Sequence, residues 1–124
     1  MAAEDKHWND YKLSRIMTGW AVVDVDPAEN PALHAYQQRL VDFNLDAGRL
    51  VGEIADAGAQ VFYFHAKSHT GHVWFNTRIG HKVAALGERD LVDEIVRECH
   101  ARGMAAVGMF QICLDRHAHL THPA

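Results

Sequence analysis

Cysteine is scarce in this sequence. Only Cys99 and Cys113 are present, one in an expected helix and one in an expected strand, with no metal-like spacing. That excludes a disulfide framework and a cysteine-based metal centre, and leaves two reduced, buried thiols as the expectation. No apolar run approaches membrane-spanning length. Lys and Arg total 12 against 16 Asp and Glu, a formal charge of -4 with no basic cluster. This argues against nucleic acid or an anionic membrane surface as a partner. The N-terminus, M-A-A-E-D-K-H-W-N-D, lacks the basic start and apolar core of a signal peptide, so a cytoplasmic location is expected.

Histidine is what the sequence has in excess. There are ten in 124 residues, and His65, His69, His72, His81, His117, His119 and His122 lie in two segments that each follow an expected strand. The first segment is the centre of the chain. Val61 to Phe64 is a continuous β-branched and aromatic run suited to a strand buried on both faces. It stops at polar residues, with His65, Lys67, Ser68, His69 and His72 at once and Trp74, Phe75 and Arg78 close behind. In parallel α/β sheets, ligands sit at that end of the strands.

The length suits one domain, residues 1–124, with residues 1–14 a polar arm on which Trp8 and Tyr11 can pack. A first strand is expected over about Gly19 to Val25, with Asp24 and Asp26 at its C-terminal side, before Pro27 and Pro31 break the pattern. A short helix follows over Ala32 to Val41. Asp46 is a good N-cap for the next helix, whose apolar face is Leu50, Val51, Ile54 and Ala57 and whose C-terminal cap is Gly58. A further helix starts at Asp90, carries Leu91, Ile95 and Cys99, and ends at Gly103. An apolar strand over Ala105 to Leu114 follows.

Helix, glycine and buried strand thus occur twice, which predicts parallel strands joined by right-handed crossovers. The long segment Ala66 to Arg89 is expected to be functional. Three strands with poorly covered edges and no closing helix fit the opening portion of a larger α/β domain. The simplest such domain is a (β/α)8 TIM barrel of roughly 250 residues, of which this chain supplies the first three strands and their crossover helices. Exposed sheet edges make self-association possible.

The stretch A-D-A-G-A-Q-V-F-Y-F-H-A-K-S-H-T-G-H, followed by R-D-L-V-D-E-I-V-R-E-C-H-A-R-G-M, resembles the early part of the catalytic barrel of α-L-fucosidase-like glycoside hydrolases and the related hypothetical glycosyl hydrolases. The resemblance runs from about Phe43 to Leu114. In the fucosidases a strand leads to K-H-H-D-G-F. Lys67, His69 and Gly71 match that motif, while Ser68 and Thr70 replace a histidine and the aspartate, which favours the hypothetical hydrolase group over true fucosidases. The closing T-H-P-A resembles the H-P-x-W that this group carries after its third strand. The resemblance implies that His69, with Lys67 nearby, faces a sugar, and that the catalytic carboxylates come from later strands.

Carbohydrate is therefore the expected partner, and glycosidase activity is not expected of the isolated chain. His65, Lys67, His69 and Asp115 are the candidate hydroxyl-binding residues, with Trp20 and Trp74 as stacking platforms and Phe75 as a further one. No cofactor is expected, no residue is assigned to a metal, and His72 and His81 are read as ordinary solvated loop residues. Two alternatives stand beside this reading. One is a metal-dependent hydrolase barrel using His117, His119, His122, Asp115 and the loop histidines. The other is a non-enzymatic carbohydrate-binding or assembly module.

Overall fold

A computed structural model describes residues 7, 10, 11, 16–18 and 26–123. The order of elements is β1 (Ile16–Thr18), α1 (Pro31–Asn44), α2 (Ala47–Asp56), β2 (Val61–Lys67), β3 (His72–Val73), β4 (His81–Lys82), a 3-10 turn at Ala84–Leu86, α3 (Leu91–Ala101), β5 (Ala105–Phe110) and α4 (Arg116–Thr121). The protein is mixed α/β with a mostly parallel sheet.

Local chemistry sets the helix starts. Asn30, Asp46, Asp90 and Asp115 each take extended backbone and accept, through the side chain, the N–H three residues on. Each cap satisfies an amide that the first helical turn leaves unpaired, worth about 1 kcal/mol. The helical spacing of Val51 and Ile54 on α2, and of Leu91, Ile95 and Cys99 on α3, turns these residues onto Phe62 and Phe64 of β2 in one core cluster. Val41 and Leu45, at the end of α1, join the same cluster. Leu91 and Ile95 are fully buried, and such side chains contribute roughly 2–3 kcal/mol each. Gly58 and Gly103 follow α2 and α3 with φ of 89° and 67°, so the two helix-to-strand turns are built alike.

The central strand is β2, parallel to β1 on one side and to β5 on the other, with Val61 opposite both Ile16 and Ala105. The three parallel strands therefore lie side by side in chain order. β3 runs antiparallel to the last residue of β2, and β4 lies parallel to β3.

Several expectations need correction. β2 continues past Phe64 to Lys67, because β5 pairs with it across a bulge between His65 and Lys67. His65 and Lys67 are thus strand residues. β2 is not buried on both faces along its length: Phe62, Phe64 and Ala66 point to the helices and are buried, while on the other face Val61 is buried and Tyr63, His65 and Lys67 are half-buried. β5 ends at Phe110, four residues short of Leu114, leaving Ile112 79% exposed and Cys113 on the surface. A closing helix, α4, does follow the last strand, because Asp115 caps it. Tyr11 is buried, whereas the segment Gly19 to Val25, with Trp20 and Asp24, lies outside the described residues.

The two thiols differ accordingly. Cys99 is fully buried and burial pushes its pKa up to about 11, whereas Cys113 is exposed. At about pH 8, where an ordinary thiol is partly ionised, a disulfide reagent should label Cys113 rapidly. Cys99 should react only at the rate of unfolding or after denaturation. Peptide mapping of the labelled protein reads this directly, and rapid labelling of both thiols in the native state would contradict the packing of α3.

Candidate functional site

The C-terminal end of β2, the β3–β4 segment and the start of α4 meet in one place. Lys67, the last residue of β2, donates from Nζ to Asp115 Oδ2 and to the carbonyl of Gln111, both at 2.7 Å. The other oxygen of Asp115 accepts the Ala118 amide at 2.7 Å to start α4. One carboxylate therefore both nucleates the helix and fixes it to the strand. The Lys67 ammonium beside it and the Ala118 N–H hold the Asp115 carboxyl below its ordinary value of 3.8.

Backbone bonds reinforce the joint: the Arg116 and His117 amides donate to the carbonyls of His69 and Thr70 at 3.1 and 2.9 Å. Arg116 also pairs with Glu29 in the turn that follows Asp26. Gly71 lets the β2–β3 turn approach this closely. Its φ is +94°, and a Cβ there would lie 2.3 Å from Asp115 Oδ1 and 2.7 Å from the His117 Cβ.

With α4 seated, three histidines converge on Asp26. In the β3–β4 pairing His72 lies opposite His81, so both rings fall on one side, 4.8 Å apart between centroids. Asp26 Oδ1 accepts from His81 Nε2 at 2.7 Å and from His72 Nε2 at 3.2 Å. With Nε2 of His72 donating, its Nδ1 accepts from the Thr70 hydroxyl at 3.0 Å, and Thr70 in turn accepts from Ser68 at 2.6 Å. His117 stacks on His81, with centroids 3.9 Å apart and planes 6° from parallel. Burial raises the Asp26 carboxyl, but the hydrogen bonds and charge of His81 and His72 outweigh it and hold the group below 3.8. Burial, then the charge of His81, lowers the His117 imidazole below 6.5.

A cavity of about 440 Å3 opens here, lined among others by Lys67, Phe75, His81, Phe110, Asp115 and His117. Phe75 and Phe110 stand 6.3 Å apart, and Lys67 Nζ lies 5.6 Å from the Phe110 centroid. A second cavity of about 360 Å3 lies beside it, with Asp26, His72, Arg116 and His117 in its walls.

Of the residues singled out in the sequence, Lys67 and Asp115 lie together in the larger cavity. His65 is half-buried opposite Met109 on the sheet face away from the helices, and His69 is exposed. Neither lines the two cavities. Trp74 is 1% exposed and belongs to the core cluster, so its ring offers no face to a ligand. Trp20 lies outside the described residues. His72 and His81 are not solvated loop residues: His72 is 3% exposed, and both bond Asp26. Phe110 was read only as part of a buried strand. Nothing in the local pattern marks it as a cavity wall, because its exposure follows from where β5 stops.

No family model, curated protein or solved structure matches this chain. What the fold and site define is a mixed α/β protein with a polar and aromatic cleft at the C-terminal end of its central parallel strand.

Two outcomes follow from this geometry. Gly71→Ala places a Cβ against Asp115 and His117 in a left-handed backbone conformation, and should cost roughly 1–3 kcal/mol in denaturant unfolding. An unchanged midpoint would show that the turn and α4 are not in contact. The depressed Asp115 carboxyl stabilises the fold above its unfolded value near 3.8, and that contribution disappears as pH falls through the lower folded value. The melting temperature should therefore drop in that acid window, and Asp115→Asn should flatten the drop, with Asp26, whose carboxyl is also lowered, accounting for part of what remains.

Proposed function

We propose that this chain is the sugar-facing, strand-end part of a glycoside-hydrolase-like (β/α)8 barrel, and that it binds carbohydrate in the cleft at the end of β2. The observation that carries this reading is the pairing, in one cavity of about 440 Å3, of the exposed Phe110 and half-buried Phe75 rings with the Lys67–Asp115 ion pair. A sugar ring presents an apolar C–H face and a rim of hydroxyls, so it needs an aromatic platform beside fixed polar groups. An ammonium has three N–H bonds, and Lys67 uses two on Asp115 and Gln111. Its Nζ also lies 5.6 Å from the Phe110 centroid, so a hydroxyl at the rim of a ring stacked there would meet the ammonium.

The barrel reading draws support from the sequential order of β1, β2 and β5. In a doubly wound sheet the first strand lies inside and helices cover both faces. Here α2, α3 and the end of α1 share one core cluster with one face of β2. The opposite face is buried at Val61 and half-buried at Tyr63, His65, Val107 and Met109, as the inner wall of a barrel would be before its other strands close it.

Hydrolysis needs two carboxyl groups across the scissile bond, about 5–10 Å apart. Asp115 is the carboxylate among the described residues that line the larger cavity, and both of its oxygens are engaged. The reading is therefore binding by this chain, with the chemical step depending on groups outside it.

Saturation-transfer NMR of the purified chain against a panel of neutral monosaccharides and aryl glycosides tests the proposal. Saturable binding should weaken about tenfold in Phe110→Ala and in Lys67→Met, without aryl-glycoside turnover. Absence of binding, or binding indifferent to both substitutions, would remove the carbohydrate reading.

A further inference from the structure

We infer that Asp26, His81 and His117 form a binding site for a divalent transition-metal ion of the zinc or cobalt kind. One ligand atom from each of the three lies within 4.8 Å of the other two, and all three residues are half-buried. The three come from distant parts of the chain: the turn before α1, strand β4 and the first turn of α4. Their convergence is a product of the fold, not of local sequence.

The chemistry of the set selects the ion. One carboxylate oxygen and two neutral imidazoles carry a single negative charge, and a mixed nitrogen and oxygen donor set suits Zn2+ or Co2+ better than Ca2+ or Mg2+. Around a tetrahedral ion, with bonds near 2.0–2.1 Å, neighbouring ligand atoms stand about 3.3 Å apart. Asp26 Oδ1 and His81 Nε2 are now 2.7 Å apart with a proton between them. The ion replaces that proton, which moves to the other ring nitrogen, the pair opens by about half an ångström, and the His117 ring turns out of its parallel stack on His81 to aim a nitrogen at the same ion.

The carboxylate is already held for this. His72 donates to the same Asp26 oxygen at 3.2 Å, and Thr70 fixes the far nitrogen of His72 at 3.0 Å, the kind of outer support that orients ligands in metal centres. His117 lines both cavities, while His81 lines the larger and Asp26 the smaller. The ion would therefore sit on the ridge between them, with its remaining position open to water or a ligand hydroxyl. This site is independent of carbohydrate binding, and its test uses no sugar.

The probes are Zn2+ alone, by calorimetry, and Co2+ alone, by visible absorption. The full chain should take up one ion, gain thermal stability, and give the intense absorption of four- or five-coordinate cobalt. His81→Gln and His117→Gln should each weaken binding about 100-fold or more, and His72→Gln about tenfold with the cobalt spectrum retained. His119→Gln and His69→Gln, on exposed residues outside the cluster, should leave affinity unchanged. Should a histidine variant fail to fold, Asp26→Asn keeps the shape of the side chain and must show the same loss. Unchanged affinity in the folded ligand variants would mean an ion held elsewhere among the histidines. That result, no saturable binding, or the weak spectrum of hexaaqua cobalt would overturn the assignment.

Discussion

The ion pair between Lys67 and Asp115 joins the end of the central strand to the start of the last helix, and the cleft depends on that joint. An exposed pair of this kind contributes little, about 0–1 kcal/mol. This one is set apart by its surroundings. The Lys67 side chain is 12% exposed, and its ammonium meets a carboxylate, a carbonyl and the face of Phe110 together. Asp115 is committed twice, to Lys67 and to the first turn of α4. Loss of either residue leaves the other charge partly buried without its partner, which costs more than the pair contributes. Because α4 has only six residues, too few for stability from its own hydrogen bonds, its place is set by these tertiary ties.

From that joint the remaining geometry follows in order. Gly71 permits the close approach of the turn, the turn carbonyls take the α4 amides, and His117 is thereby laid against His81. The β3–β4 pairing brings His72 and His81 to Asp26 from the other side. The result is two adjoining environments on one strand end. One is aromatic with an ion pair, around Phe75, Phe110, Lys67 and Asp115. The other is rich in imidazole with one carboxylate, and suits a cation.

Much of the scaffold was legible because its signals are short-range. Asp46 and Asp90 mark helix starts through bonds to amides three residues away, and Gly58 and Gly103 mark the turns after α2 and α3. The apolar spacing of Val51, Ile54, Leu91, Ile95 and Cys99 names the core directly. The site was legible only in part. Lys67 and Asp115 stand out as polar residues beside apolar strands, but the same reasoning favoured Trp74, which the core takes because a large ring beside the helices buries more apolar area there than it would at a cleft. His72 and His81 looked like solvent-facing loop residues, since a two-residue strand leaves no periodic pattern to read.

The sequence by itself determined the succession of α2, β2, α3 and β5, the caps at Asp46 and Asp90 and the helix-facing core, because each rests on neighbours within a turn or on the period of a single element. Only the tertiary structure decided which polar groups meet. Asp26, His81 and His117 come together through a register between two very short strands and through a helix held by ion pairs and backbone bonds to distant segments. Such contacts depend on the sum of weak constraints across the whole fold, and no local stretch of sequence carries that sum.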